Sequence, residues 1–216
     1  MAVFISGDKQ GRNIMGKIIT IQHTESVHHT NGMVGSWTDW DLTEKGKREA
    51  KIIGENLFAE LSSENVMLYS SDLKRAKQTA EIIGDYFGLV PDLRKELRER
   101  NLGSAVGKSV LWLREHMEMK EVKVEDRMFS DGESRKDVWN RLKRYYEEVL
   151  IHEERTVLLV SHGDTLSILH HMLLGLPLDM MNHVRMQGFS GGVSHMVLER
   201  ERQVVLRKFS DLSYKR

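Results

Sequence analysis

The apolar side chains divide the chain into short β-branched runs and longer stretches with a helical repeat. Residues 17–22 (Lys-Ile-Ile-Thr-Ile-Gln) are short and β-branched, which predicts a buried strand. From Thr43 to about Leu61, Ala50, Ile53, Leu57 and Leu61 recur on one face, so a helix is expected there, capped by Thr43. Residues 66–69 predict a second strand. Asp72 is the expected cap of a helix reaching Phe87, with Leu73, Ala76, Ala80 and Ile83 on its stripe and Gly88 at its end. Residues 89–107 are charged and irregular. A further amphipathic helix is expected from about Glu133 to His152. Residues 156–161 (Thr-Val-Leu-Leu-Val-Ser) form the clearest buried strand, and residues 164–174 a helix stopped by Gly175 and Pro177. Residues 193–199 and 203–209 alternate in polarity and read as a closing hairpin. Strands alternating with helices predict α/β layering on a mainly parallel sheet, with only the final hairpin antiparallel. No repeat or linker divides the chain.

Composition narrows the function classes. Lys+Arg and Asp+Glu each number 32, so no net charge argues for a nucleic-acid or anionic-membrane partner. No apolar run approaches the roughly 20 residues of a membrane span. Cysteine is absent, which removes disulfides, thiolate metal sites and a cysteine nucleophile, and suits a reducing, cytoplasmic setting. Residues 1–16 are polar and Gly-rich, without the apolar stretch of a signal peptide, and are expected to be a flexible extension.

In α/β sheets, ligands bind beyond the carboxyl ends of the strands. Three strands are followed there by Gln22-His23-Thr24-Glu25-Ser26, by Ser70-Ser71-Asp72-Leu73-Lys74-Arg75, and by Ser161-His162-Gly163-Asp164. Two histidines and an arginine therefore emerge at one edge, beside helix N-termini that favour an anion.

These residues resemble the histidine phosphatase superfamily, the phosphoglycerate-mutase-like proteins whose first strand ends in Arg-His-Gly-Glu. The likeness runs in order from Lys17 through nearly the whole chain. Residues 37–46 (Trp-Thr-Asp-Trp-Asp-Leu-Thr-Glu-Lys-Gly) are similar to the stretch entering the first helix, and residues 70–80 nearly copy the second motif. Residues 97–103 are similar to the segment bearing the family's acidic residue, while Gly132-Glu133-Ser134 and Ser161-His162-Gly163 match two further motifs. The resemblance implies a three-layer sandwich with a lid built from about residues 103–132. It implies that His23 is a nucleophile forming a phosphohistidine, that Arg75 clamps the phosphoryl oxygens, and that His162 donates a further hydrogen bond. Glu99 would protonate the leaving alcohol and then deprotonate water. Read without the resemblance, Glu99 is a solvated residue of a charged loop.

Two positions depart from the family. Gln22 stands where the family has a phosphate-binding arginine, and keeps a donor but not the charge or the two-pronged fork. Thr24 replaces glycine and adds a side chain where backbone would approach the ligand. His29 lies where several members carry an asparagine that reaches the phosphate; protonated, it would restore positive charge. Otherwise His28 and His29 are exposed loop histidines.

No metal or other cofactor is expected, because the adjacent pairs His28-His29 and His170-His171 lack common zinc spacings. One of His170 and His171 is expected packed and the other exposed. The charged run from Arg114 to Arg127 reads as the solvated side of the lid. Metal-independent hydrolysis of a small phosphomonoester is the favoured function. A phosphate-ester-binding or regulatory protein with weakened turnover is the alternative. A mutase is less favoured, since Glu99 and His162 lie only 63 positions apart.

Overall fold

The structure is a computed structural model that describes residues 6–7, 13–199 and 203–216. Its strands are β1 (Ser6–Gly7), β2 (Asn13–Gln22), β3 (Val66–Ser71), β4 (Asp92–Arg94), β5 (Thr156–Ser161), β6 (Val193–Glu199) and β7 (Val204–Asp211). They form one sheet in the order β4-β3-β5-β2-β6-β7, with β1 paired to β2 off that path. The four strands from β4 to β2 are mutually parallel, and β6 and β7 form the antiparallel edge expected from the sequence. Beyond that expectation, β1 is also antiparallel, and β2 starts at Asn13 rather than Lys17. Residues 13–16 of the expected flexible extension thus belong to the sheet, whereas 1–5 and 8–12 lie outside the described residues.

The helices are α1 (His28–Asn31), α2 (Glu44–Leu61), α3 (Lys74–Phe87), α4 (Val110–His116), α5 (Arg135–Glu148) and α6 (Gly163–Leu173). Alternation along β5 explains how they layer. Leu158 and Val160 join Ile53, Leu57, Ala76, Ala80 and Ile83 in a core on the α2/α3 side. Val157 and Leu159 join Val138, Leu142, Leu166 and Leu169 on the α5/α6 side. A parallel strand covered on both faces needs apolar residues at successive positions, which is why β5 is the most legible strand. The result is a three-layer sandwich. Among the described residues no helix is long and apolar enough to cross a membrane.

Helix ends follow local chemistry, with one correction. The Thr43 hydroxyl accepts the Gly46 N–H at 3.0 Å, and Ser134 and Asp137 cap α5 reciprocally. Asp72 does not cap α3. That helix starts at Lys74, and the Asp72 carboxylate instead takes Arg98 Nε and Nη2, each at 2.7 Å. A two-pronged guanidinium outbids a single orphan N–H for a carboxylate. The helix expected to reach His152 ends at Glu148, followed by a separate 3₁₀ turn over Leu150–His152.

The lid region contains α4 and a loop pinned where Val124, 2% exposed, enters the α5/α6 core. The charged run through this loop is not wholly solvated. The Glu121 side chain is only 4% exposed and pairs with Arg100 and with Arg135.

Candidate active site

Parallel register brings the three strand ends level. Gln22 lies opposite Ser161 in the β2/β5 ladder, and the His23 N–H donates to Ser161 O at 2.9 Å. Ser71 ends β3 beside them, and Arg75 enters on the first turn of α3. His23, Arg75 and His162 are thereby gathered at one edge, with the His23 and His162 rings 5.1 Å apart.

His23 is held in one tautomer. Its Nδ1 faces Thr24 O at 2.9 Å, which requires a proton on Nδ1, while its Nε2 receives Arg75 Nε–H at 3.2 Å. Nε2 therefore carries the lone pair. Burial, reinforced by the Arg75 charge, holds the imidazole well below its ordinary pKa, so it is neutral at pH 7.

Arg75 is buried and fixed by main-chain carbonyls: Nη1 donates to Thr38 O at 2.9 Å and Nη2 to Ser36 O at 2.8 Å. Ser36 has φ +33°, a left-handed conformation that costs a non-glycine residue energy. Its hydroxyl donates to Arg100 O and accepts Leu102 N–H, both at 2.9 Å. One strained residue thus ties the arginine to the segment bearing Glu99.

His162 is fully buried, with Nε2 2.8 Å from the Ser71 hydroxyl and no partner for Nδ1. Ser71 Oγ already accepts Leu73 N–H at 3.2 Å. Ser71 Oγ thus bridges the His162 ring and the Leu73 N–H at the start of α3. Burial and then Arg75 keep this ring neutral as well.

Glu99 is half-buried on the cavity wall rather than free in a charged loop. Oε1 accepts the N–H of Arg100 at 2.9 Å and of Thr165 at 3.2 Å, so it rests against the N-terminal turn of α6. Desolvation raises its pKa, the Asp164 charge raises it further, and the Arg100 N–H and Arg75 oppose them. Arg141, which sequence reasoning missed, holds this segment by donating to the carbonyls of Glu96, Arg98 (2.8 Å) and Glu99 (3.1 Å) and to Glu133. The only sequence signal for it was its place on α5 eight residues after Glu133.

A cavity of about 270 Å³ opens at this edge, lined among others by Gln22, His23, His28, His29, Arg75, Glu99, Arg100 and Asp164. The Gln22 amide lies between Gly163 and Gly188, and a Cβ on either would make only ordinary contact with it, 3.4 Å from Nε2 and 3.5 Å from Oε1. Thr24 does not obstruct the ligand as its side chain suggested. It is fully buried, with its hydroxyl 3.2 Å from Thr79 Oγ1, and lies outside the cavity wall.

His29 stacks on His23 at 5.4 Å between ring centroids. Its Nδ1 accepts Ser26 N–H at 3.2 Å, so the neutral ring carries its proton on Nε2. Burial and Arg75 lower its pKa, against weaker opposition from Glu25 and Glu49. The charge-restoring role expected of a protonated His29 is thus disfavoured in the free protein. Burial pushes His28 down to about 3. One ring nitrogen from each of His23, His28 and His29 lies within 4.8 Å of the others, a spacing within reach of one metal ion. The donor set does not suit one: His29 presents an N–H rather than a lone pair, and the fixed Arg75 cation lies 3.2 Å from His23 Nε2, where it would repel a metal ion. His170 and His171 are both buried, contrary to the expected split. His170 Nε2 meets Thr20 Oγ1 at 2.8 Å, and His171 Nδ1 meets Ser167 O at 2.8 Å.

Neutral imidazoles, a fixed guanidinium and a half-buried carboxyl meet at this small cavity. The sequence model of the histidine phosphatase superfamily, branch 1, matches residues 18–211, and the chain belongs to that superfamily. Phosphoserine phosphatase 1 of Hydrogenobacter thermophilus is 33% identical over 205 residues, covering 89% of this chain and 92% of that protein. The 2,3-bisphosphoglycerate-dependent phosphoglycerate mutase of Bartonella tribocorum is 33% identical over 174 residues, covering 75% and 84%. Among solved structures, YhfR of Bacillus stearothermophilus superimposes with a TM-score of 0.78 at 27% identity, covering 93% of this chain and all of that one.

Proposed function

We propose that the protein hydrolyses small phosphomonoesters without a metal ion, through a phosphohistidine on His23. The observation that carries this reading is the His23 tautomer: Nε2 holds a lone pair, Nδ1 is anchored on Thr24 O, and the ring is neutral. Nε2 attacks phosphorus as the ester P–O bond breaks, and Glu99 gives its proton to the departing alkoxide. Glu99 then takes a proton from water, whose oxygen attacks phosphorus as the P–N bond breaks, releasing inorganic phosphate and neutral His23. Arg75, on the cavity wall, places positive charge beside the transferring group, and the His162 ring packs behind it 5.1 Å from His23. The pKa of Glu99 is raised, as a proton donor working near neutral pH requires.

Gln22 favours a second reading, a protein that binds phosphate esters and turns them over poorly, because a neutral amide faces the cavity. Phosphate release from a panel of phosphomonoesters, with and without EDTA, distinguishes the two. Turnover that survives EDTA and disappears in His23→Ala is expected. Equal activity in His23→Ala, or loss with EDTA restored by zinc, would refute the mechanism.

A further inference from the structure

We propose that Lys215 is a positioning residue for the His23 nucleophile, closing a circuit of contacts that holds both ends of the turn over residues 23–25. This deepens the phosphatase reading and rests on it for the role of His23. The imidazole is anchored through Nδ1 on the carbonyl of Thr24, so the ring is only as well placed as the main chain of that turn. β2 ends at Gln22, and beyond it the His23 N–H still reaches β5 through Ser161 O. The His23 carbonyl and the Glu25 N–H, leaving the sheet, need partners from elsewhere.

Those partners meet at one ammonium. The His23 carbonyl accepts Ser190 Oγ–H at 3.1 Å and Gly191 N–H at 3.3 Å, and the same N–H reaches Gln22 O at 3.0 Å. Gly191 has φ +73°, a conformation that glycine adopts without penalty. Lys215, on the 3₁₀ turn Ser213–Lys215 that follows β7, donates from Nζ to Ser190 O at 2.9 Å. Its stem packs on the glycine: a Cβ on Gly191 would lie 3.0 Å from Lys215 Cδ. At the other end, the Glu25 N–H faces Glu49 Oε2 at 3.5 Å, and Glu49 Oε1 lies 3.2 Å from Lys215 Nζ. The ammonium and carboxylate side chains are only 20% and 11% exposed, so water weakens their attraction little. The 3₁₀ turn is itself fixed, because Tyr214 is buried and its carbonyl accepts Asn56 Nδ2–H from α2 at 2.9 Å. Arg75 is held separately, by Thr38 O and Ser36 O. Loss of the ammonium therefore loosens the nucleophile and leaves the phosphate clamp in place.

Lys215→Met keeps the stem and removes the charge. Its kcat on a generic phosphomonoester should fall about 10- to 100-fold, the cost of a small displacement of a reacting group, with KM and the affinity for inorganic phosphate little changed. Lys215→Arg should recover most of the loss. Glu49→Gln should cost less in the Lys215→Met background than alone, because both act through one contact. Imidazole nitrogen NMR reads the nucleophile directly, with the His23 signals assigned by their loss in His23→Ala. The wild-type ring should be the Nδ1–H tautomer, and Lys215→Met should move its signals towards a mixture of tautomers. Unchanged His23 signals in folded Lys215→Met overturn the proposal, and so does a loss of kcat that Lys215→Arg fails to recover. A Lys215 that only stabilises the packing on α2 would lower Tm and leave the His23 signals in place, which also overturns it. Phosphate release by the wild-type protein is scored separately: its absence refutes the hydrolytic reading, while the His23 signals still decide the role of Lys215.

Discussion

Gln22→Arg should make the protein a faster phosphatase. The substitution puts a permanent cation at the carboxyl end of β2, next to the His23 nucleophile and on the cavity wall. Gln22 lines the cavity, which gives a longer side chain at this position space to extend into. A neutral hydrogen bond contributes about 0.5–1.5 kcal/mol net and one to a charged partner about 1.5–3. The difference, about 1–2 kcal/mol, is roughly 5- to 30-fold in kcat/KM, and a two-pronged contact formed mainly in the transition state would reach about 100-fold. The added charge does not impair the nucleophile, because His23 is already neutral and a nearby cation keeps it so. The assay is kcat/KM on a generic phosphomonoester from pH 5 to 8, with phosphate inhibition as a measure of anion binding. An unchanged or lower kcat/KM in a folded Gln22→Arg protein, without tighter phosphate inhibition, would refute the reasoning. It would mean that another group already supplies the charge.

The remaining predictions are narrower. His29→Asn should leave the shape of the pH–rate profile near neutral pH unaltered, since burial and then Arg75 lower the ring's pKa; loss of an acid-side limb would show that it works protonated. Arg141→Met should lower kcat more than it raises KM, by at least tenfold, because it frees the carbonyls of Arg98 and Glu99 that orient the Glu99 carboxyl; a pure KM effect would contradict this. Buried His170 is pushed down to about 4 from an unfolded value near 6.5, so the unfolded chain binds the extra proton first. Stability from this group is complete above about pH 6.5 and falls towards pH 4, by up to about 3 kcal/mol; urea unfolding at pH 7 and 4.5 should show the drop, and His170→Gln should flatten it.

Pattern alone determined the layered α/β class, because a parallel strand covered on both sides must be apolar at successive positions and its helices must repeat every 3.6 residues. It also determined which residues reach the ligand edge: the strand ends are local features, and His23, Arg75 and His162 each follow one. Roles were another matter. Whether Glu99 sits in water or against α6 depends on Thr165 and Asp164, 65 or more positions away. Whether His29 is charged depends on the Ser26 N–H that its Nδ1 accepts and on Arg75 nearby. Local pattern misjudged Asp72, Glu121 and one of the pair His170 and His171 for the same reason: each looked like a cap or a solvated side chain until a distant arginine or a packed core claimed it. Hydrophobic period is a property of neighbours in sequence, whereas protonation state and hydrogen-bond partners are set by desolvation and by charges that only folding brings within a few ångströms.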